Sequence, residues 1–273
     1  MSPVTVRPVG TDFKRDRVVH RIGSERFKPY LVESGGHHKH GLALYRWNAE
    51  VSAAFLEMLS VVEVLVRNHV DEHLARWCRD NGGVYEWVLH PDLMPEPLDK
   101  LFKSVVSNAY DKACKAKDER DARPAHPRNG ADITCGDVLS QVTFGQWHGL
   151  FPSDEQEQID PVTNGYRQRV WDEVLKNAFE LNVTGDQIHW LLYRLSYFRN
   201  RVAHHECVLN GDLRNRYDDV FALLMMVDPA VHIWATSQQK ISSVLKQKPK
   251  PPRSRGKRNS LTMMPRGQSV DDR

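Results

Sequence analysis

From Leu42 to about Asn81 the chain reads LALYRWNAEVSAAFLEMLSVVEVLVRNHVDEHLARWCRDN, with no proline to interrupt it. Leu44, Trp47, Val51, Phe55, Met58, Val62, Leu65, His69, Leu74 and Trp77 keep a helical beat through it, which predicts one long core helix. An apolar stripe of that length has to be covered by other elements. No segment of the chain alternates like a strand with hairpin signals and no repeat is evident, so the covering elements are helices too. The fold class that follows is all-α, a helical bundle with additional helices. Within the long run Glu63 and Arg67 are four apart in the order that favours a helical ion pair, and Asn68 follows. Such a pair on a surface contributes little. This one is flanked by Val61, Val62, Val64, Leu65 and Val66, where a charge needs a partner or a purpose.

A second stretch, TGDQIHWLLYRLSYFRNRVAHHE (residues 184–206), has two faces to bury. Thr184 with Gln187 three residues on is a capping-box pair, so a helix starts there. Ile188, Leu191, Leu192, Leu195, Phe198 and Val202 fall on one side, with Arg199 inside that stripe. Trp190, Tyr193, Tyr197, Asn200 and His204 line the other side, where a surface helix would carry Lys and Glu. The helix is therefore either central to its bundle or uses this second face against another chain. Asn200 and His204 are one turn apart, close enough for the amide to orient the imidazole. Arg199 and His204 are separated by about 140° on an ideal helix. Either Arg199 reaches around the helix or the helix loosens near His204. A guanidinium and an imidazole side by side suit a phosphodiester, one gripping non-bridging oxygens and the other moving a proton. An Arg and a His at this spacing also arise by chance in structural helices.

The remaining segments complete the bundle. Breaks at Gly82, Gly83, Pro91, Pro95 and Pro97 precede a helix from about Pro97 to Arg120 on Leu98, Leu101, Phe102, Val105, Ala109 and Ala113. A surface loop, ARPAHPRNGAD, follows. Thr134 and Asp137 then start one short helix through VLSQVTFGQWHGLF, with Phe144, Trp147, Leu150 and Phe151 as core and His148 as a structural neighbour. The stretch YRQRVWDEVLKNAFEL makes another amphipathic helix on Val170, Val174, Leu175 and Phe179. After Asn210 and Gly211 a helix carries Tyr217, Val220, Phe221, Leu223, Leu224 and Met225, and Asp228 followed by Pro229 starts a last helix to about Lys246. The expected domains are an N-terminal extension (1–19), a helical domain (20–246) and a disordered basic tail (247–273).

Composition removes several function classes. Cys78, Cys114, Cys135 and Cys207 are scattered without paired spacing, which argues against a zinc site and fits a reduced compartment. His37, His38 and His40 in a Gly-containing stretch sit in solvent or bind a metal, and the sequence assigns them no role. No apolar run approaches membrane-spanning length and the N-terminus lacks the apolar core of a signal peptide, so the expectation is a soluble, cytoplasmic protein. The formal net charge of +3 conceals an asymmetry, because from Leu245 onward Lys and Arg outnumber Asp nine to two. The body before it is net acidic. Any RNA binding must therefore rest on a local patch or on the tail.

These stretches resemble a known family. FRNRVAHHE is similar to the signature of the HEPN superfamily, an Arg, a polar residue and a His four to six positions on. LYRWN (44–48), SVVEVLVRN (60–68), TFGQW (143–147) and RNRVAHHE (199–206) look like its Abi-like (AbiD/AbiF-type abortive infection) branch, in that branch's order. The resemblance implies a helical bundle that dimerises with its two motif helices facing across a shared cleft. It further implies a metal-independent endoribonuclease of toxin or phage-defence type, with no cofactor and RNA as substrate, and leaves open whether an antitoxin or regulator accompanies it. Carried over by position, Arg199 and His204 match the catalytic pair and Asn200 the polar residue after the Arg. His205 and Glu206 match the frequent extension of the motif, and Glu63, Arg67 and Asn68 match a supporting, cleft-lining segment. The alternative is a non-catalytic helical module that binds RNA or a partner protein; a third class, a metallohydrolase, would use the 37–40 histidines.

Overall fold

In the computed structural model, which describes residues 11–154, 160–179 and 182–251, the long run forms a single 43-residue helix, α3 (His38–Asp80). Its buried stripe begins at Leu44, Trp47 and Val51 and continues through Phe55, Met58, Val62, Val66, Val70 and Leu74. No strand occurs among the described residues. The chain is an all-α bundle built around this axis.

Two helices precede it, α1 (Thr11–Ile22) and α2 (Ser24–Glu33), where the sequence offered no strong periodicity. The described residues of these helices bury only Phe27 and Tyr30 fully. Packing on α3 holds them, and Gly41 permits it: a Cβ there would lie 2.9 Å from the Phe27 ring and 3.3 Å from the Tyr30 carbonyl.

Beyond α3, α4 (Leu98–Asp121) runs as its spacing predicts. The expected single helix through VLSQVTFGQWHGLF is instead two. Thr134 and Asp137 cap α5 (Cys135–Leu139), and a second capping box, Thr143 with Gln146, opens α6 (Phe144–Trp147) before a 3₁₀ turn at His148–Leu150. The second box is a start signal inside what reads as one apolar run. Next, α7 (Pro161–Glu173) begins upstream of YRQR because Asp160 caps it and Pro161 fills its first turn. It stops before Val174, and Leu175–Asn177 form a 3₁₀ turn.

The motif stretch is α8 (Gly185–Ala203), which packs on α3, α6 and α9 (Leu213–Val227). The final segment is likewise broken, into α10 (Pro229–Gln238) and α11 (Ile241–Lys246). The break turns α11 back onto α3, burying Ile241 and placing the Val244 carbonyl 2.8 Å from the Trp47 indole N–H that donates to it. Most of the expected basic tail lies outside the described residues.

Candidate functional site

Sequence dictates the start of α8 locally. The Thr184 hydroxyl accepts from the Gln187 N–H at 3.2 Å, and the Gln187 side chain accepts from the Thr184 N–H at 3.0 Å. Gly185 is needed because a Cβ would meet Pro152 at 2.5 Å and Trp171 at 3.2 Å. Ile188, Leu191, Leu192, Leu195, Phe198 and Val202 are all buried, as the wheel predicts. Phe198 meets Phe55 of α3 edge-on, with ring centroids 4.9 Å apart.

Arg199, at the edge of that stripe, is half-buried, and its Nε lies 3.7 Å from Oε2 of Glu63 on α3. Glu63 thus braces the motif arginine across two helices. No ion pair joins Glu63 to Arg67 among the described residues. Arg67 Nε instead donates to Oδ1 of Asn68 at 3.3 Å. The exposed Asn200 accepts from Arg199 Nη1 through Oδ1 at a long 3.5 Å.

At His204 the helix ends, and among the described residues no hydrogen bond joins its ring to Arg199. His204 is the C-cap (φ −87°, ψ 10°), and its N–H donates to the Asn200 carbonyl at 2.9 Å. The link between Asn200 and His204 is therefore through the backbone; the expected hydrogen bond from amide to imidazole is not formed. His205 N–H donates to the Val202 carbonyl at 3.1 Å and Glu206 N–H to the Arg201 carbonyl at 2.9 Å. This pair of bonds is a Schellman motif, with His205 at φ +56° in the left-handed position that glycine usually takes. His204, His205 and Glu206 are all exposed.

A residue that the sequence reading did not single out holds this turn in place. Asn48 is buried; its Nδ2 donates to the Glu206 carbonyl at 3.1 Å, and its Oδ1 accepts from the Val208 N–H at 2.8 Å. An Asn in register with the buried stripe of a helix was the available signal, since buried amides exist to be paired. The Glu206 carboxylate is taken by Arg201 Nε at 3.1 Å, and Arg201 also donates to the Cys207 carbonyl. Glu206 therefore serves the turn.

The second face of α8 stays largely open in one chain. Trp190 is half-buried and its indole N–H donates to Asp186 Oδ1 at 3.0 Å, whereas Tyr193 is 44% and Tyr197 62% exposed. The reading of α8 as fully central to its own bundle does not hold at this end.

Other histidines sit differently. Burial pushes His148 down to about 4, helped by the nearby His189 and Arg167, and burial lowers His189 as well. The His189 ring bonds the His148 carbonyl at 3.0 Å through Nδ1, so His148 and its neighbourhood are structural. His37 is the N-cap of α3 and His38 pairs with Asp16 at 2.9 Å. Among the described residues no group of three or more His, Cys, Asp or Glu converges as for a metal ion. Nor is any helix among them long and apolar enough to cross a membrane.

The described residues form a helical bundle with an Arg-Asn pair and an exposed His at the end of α8. The profile of Abi-like proteins matches residues 19–210, and the chain belongs to that family. Membership suggests a part in abortive infection, a form of phage defence. The matched span runs from within α1 to just before α9, and so contains Glu63, Asn48 and the whole motif turn. No curated protein and no solved structure matches the chain.

Proposed function

We propose that this protein is a metal-independent endoribonuclease of the HEPN type, acting in abortive infection as a homodimer. RNA carries its own nucleophile, so the enzyme needs only to take the 2′-OH proton, offset charge on the phosphorane and protonate the leaving 5′-oxygen. One neutral His204 accepts the 2′-OH proton as the 2′-oxygen attacks phosphorus, and the protonated His204 of the partner subunit gives its proton to the departing 5′-oxygen. Histidine suits both roles because its ordinary pKa of about 6.5 keeps both forms accessible near neutrality. Arg199 offsets the developing negative charge. With Glu63 near its Nε and Asn200 on one N–H of Nη1, the guanidinium keeps further N–H donors for a non-bridging oxygen.

The observation that carries this reading is the end of α8. There a guanidinium is braced from α3, an exposed imidazole follows just past the last helical turn, and the flanking aromatic face is left uncovered by the protein's own helices. That face is where a second copy would bring its own His204.

Purified protein incubated with RNA in EDTA is expected to release 2′,3′-cyclic phosphate and 5′-hydroxyl ends and to leave DNA intact. His204→Ala should slow cleavage by about 10²–10⁴-fold with the fold intact. Loss of cleavage on chelation, or full activity in both His204→Ala and Arg199→Ala, would sink the scheme, as would a strictly monomeric active particle in sedimentation. The competing reading is a non-catalytic module that binds RNA or a protein, since a Glu63–Arg199 pair is also what a structural helix contact looks like. It predicts RNA binding without turnover, undiminished in His204→Ala.

A further inference from the structure

Three hollows on the surface share lining residues and lead from α1 to the motif turn. A recess of roughly 300 Å³ lies between the outer face of α3 and the turn, lined by Tyr45, Asn48, Ser52 and His205 among others. A second hollow shares Tyr45 with it and is walled by Arg17, Arg21 and Arg26 of α1 and α2. A third shares Arg26 with the second and His205 with the first. These three arginines are exposed. They form a local basic patch on a body whose overall charge, before the tail, is acidic.

The recess has the chemistry of a built site. Ser52 is only 6% exposed, and its hydroxyl is buried without a hydrogen-bond partner. A buried hydroxyl without a partner is rare in folded proteins, because its lost hydration is left uncompensated. The walls are small, Ala49 and Ala53, with the Tyr45 ring and the His205 imidazole as flat surfaces. His205 is placed there by a left-handed backbone that a glycine would adopt more readily. The volume is at the small end of ligand pockets.

We propose that this path is the substrate track for single-stranded RNA. Arg21 and Arg26, with Arg17 beside them, take successive phosphates, and one unstacked base enters the recess between Tyr45 and His205, over Ser52. This rests on the ribonuclease reading and deepens it by naming the strandedness of the substrate and the place where base identity is read. Guanidinium groups bind phosphate oxygens, and aromatic faces stack bases of any kind, which together make a single-strand groove. The closed shape of the recess, with its small Ala49 and Ala53 walls, adds base preference. In-line attack by a 2′-OH also requires a flexible, unpaired linkage next to His204, the immediate neighbour of His205.

The test uses full-length His204→Ala protein, so that binding is read without turnover, with short single-stranded RNA homopolymers in fluorescence anisotropy at several salt concentrations. Arg21→Gln with Arg26→Gln is expected to weaken binding about tenfold or more and to flatten the slope of log K against log salt by about 1.4, or ~0.7 for each phosphate no longer gripped. Ala53→Leu, which fills the recess, is expected to erase the difference between homopolymers and leave the slope unchanged. An unchanged affinity and slope in the double variant overturns the proposal, as does the absence of RNA binding by the His204→Ala protein. Conversion of a dimer to a monomer by the double variant, with RNA affinity unaltered, would also overturn it, by assigning the surface to contact between copies. RNA bound along the track by a wild-type protein that does not cleave would sink the ribonuclease reading and leave this one standing.

Discussion

α8 carries one histidine near each end, and the two ends could hardly be built more differently. His189, in the second turn, is buried, its Nδ1 is bonded to the His148 carbonyl, and burial lowers its pKa. His148 against it is pushed to about 4. Burial disfavours the charged form of both rings, and neither reaches solvent freely. At the other end His204 is exposed, just past the last helical residue, on a helix whose Arg199 pairs with Glu63 of α3. The N-terminal end is secured by its own sequence, through the capping box at Thr184 and Gln187. The C-terminal end depends on Asn48, about 160 residues earlier in the chain, which bonds the Glu206 carbonyl and the Val208 N–H. One helix thus has an end that stabilises and an end that presents side chains.

The sharpest way to break this contrast is to compare activity with folding at each end. His204→Ala should cost about 10²–10⁴ in cleavage and leave the melting temperature within error of wild type. Asn48→Ala comes next. It leaves the Glu206 carbonyl and the buried Val208 N–H without their side-chain partner, so urea unfolding should show a loss of about 2–3 kcal/mol, with cleavage falling as the turn loosens. Removal of the local cap at the other end, Thr184→Ala, should cost only about 1 kcal/mol and spare cleavage. Equal effects of Asn48→Ala and Thr184→Ala on cleavage would show that the two ends are not functionally distinct.

Acid titration separates the histidines themselves. In the unfolded chain His148 titrates near 6.5, while in the fold it titrates at about 4. Between those values the unfolded state binds a proton that the folded state refuses. The stability contributed by the neutral ring is therefore present in full above about 6.5 and is lost as pH falls towards 4; His189, lowered in the same direction, adds to the trend. His148→Phe keeps a ring against His189 and Tyr193 and removes the titration, so the fall of melting temperature on acidification should become shallower while cleavage at neutral pH persists. A steep limb in His148→Phe would place the acid sensitivity elsewhere.

What could be read in advance followed the range of the interactions involved. The axis helix, the apolar stripe of α8, its capping box and the Asp228 cap before Pro229 are local features, set by residues within a turn or two, and each is found in the structure. The split between α5 and α6 escaped because its start signal sits inside an apolar run, and that between α10 and α11 because its cause lies far off in the chain. The bends are fixed by a second capping box in one case and by docking on α3 in the other. At the site, the motif residues were legible from spacing and resemblance, but their partners were not. Glu63 suggested Arg67, four residues away, yet its carboxylate lies by Arg199, on a helix folded back from far along the chain. Asn48, Ser52 and the arginines of α1 and α2 become neighbours of the motif turn only through tertiary packing.

The smallest expected effect is also the most discriminating between the two ends. His205 occupies φ +56°, a conformation that an L side chain adopts at a penalty of about 1–2 kcal/mol, partly offset for glycine by its greater freedom in the unfolded chain. His205→Gly should therefore raise stability by about 0.5–1 kcal/mol, read as a small upward shift of the urea midpoint. A protein optimised here for stability alone would have glycine after the helix, as Schellman turns usually do. If the glycine variant is more stable and binds RNA less tightly, the imidazole is kept for what it does at the recess, and the C-terminal end of α8 trades stability for function. If it is less stable, His205 is a packing residue, and both ends of the helix answer to the same demand.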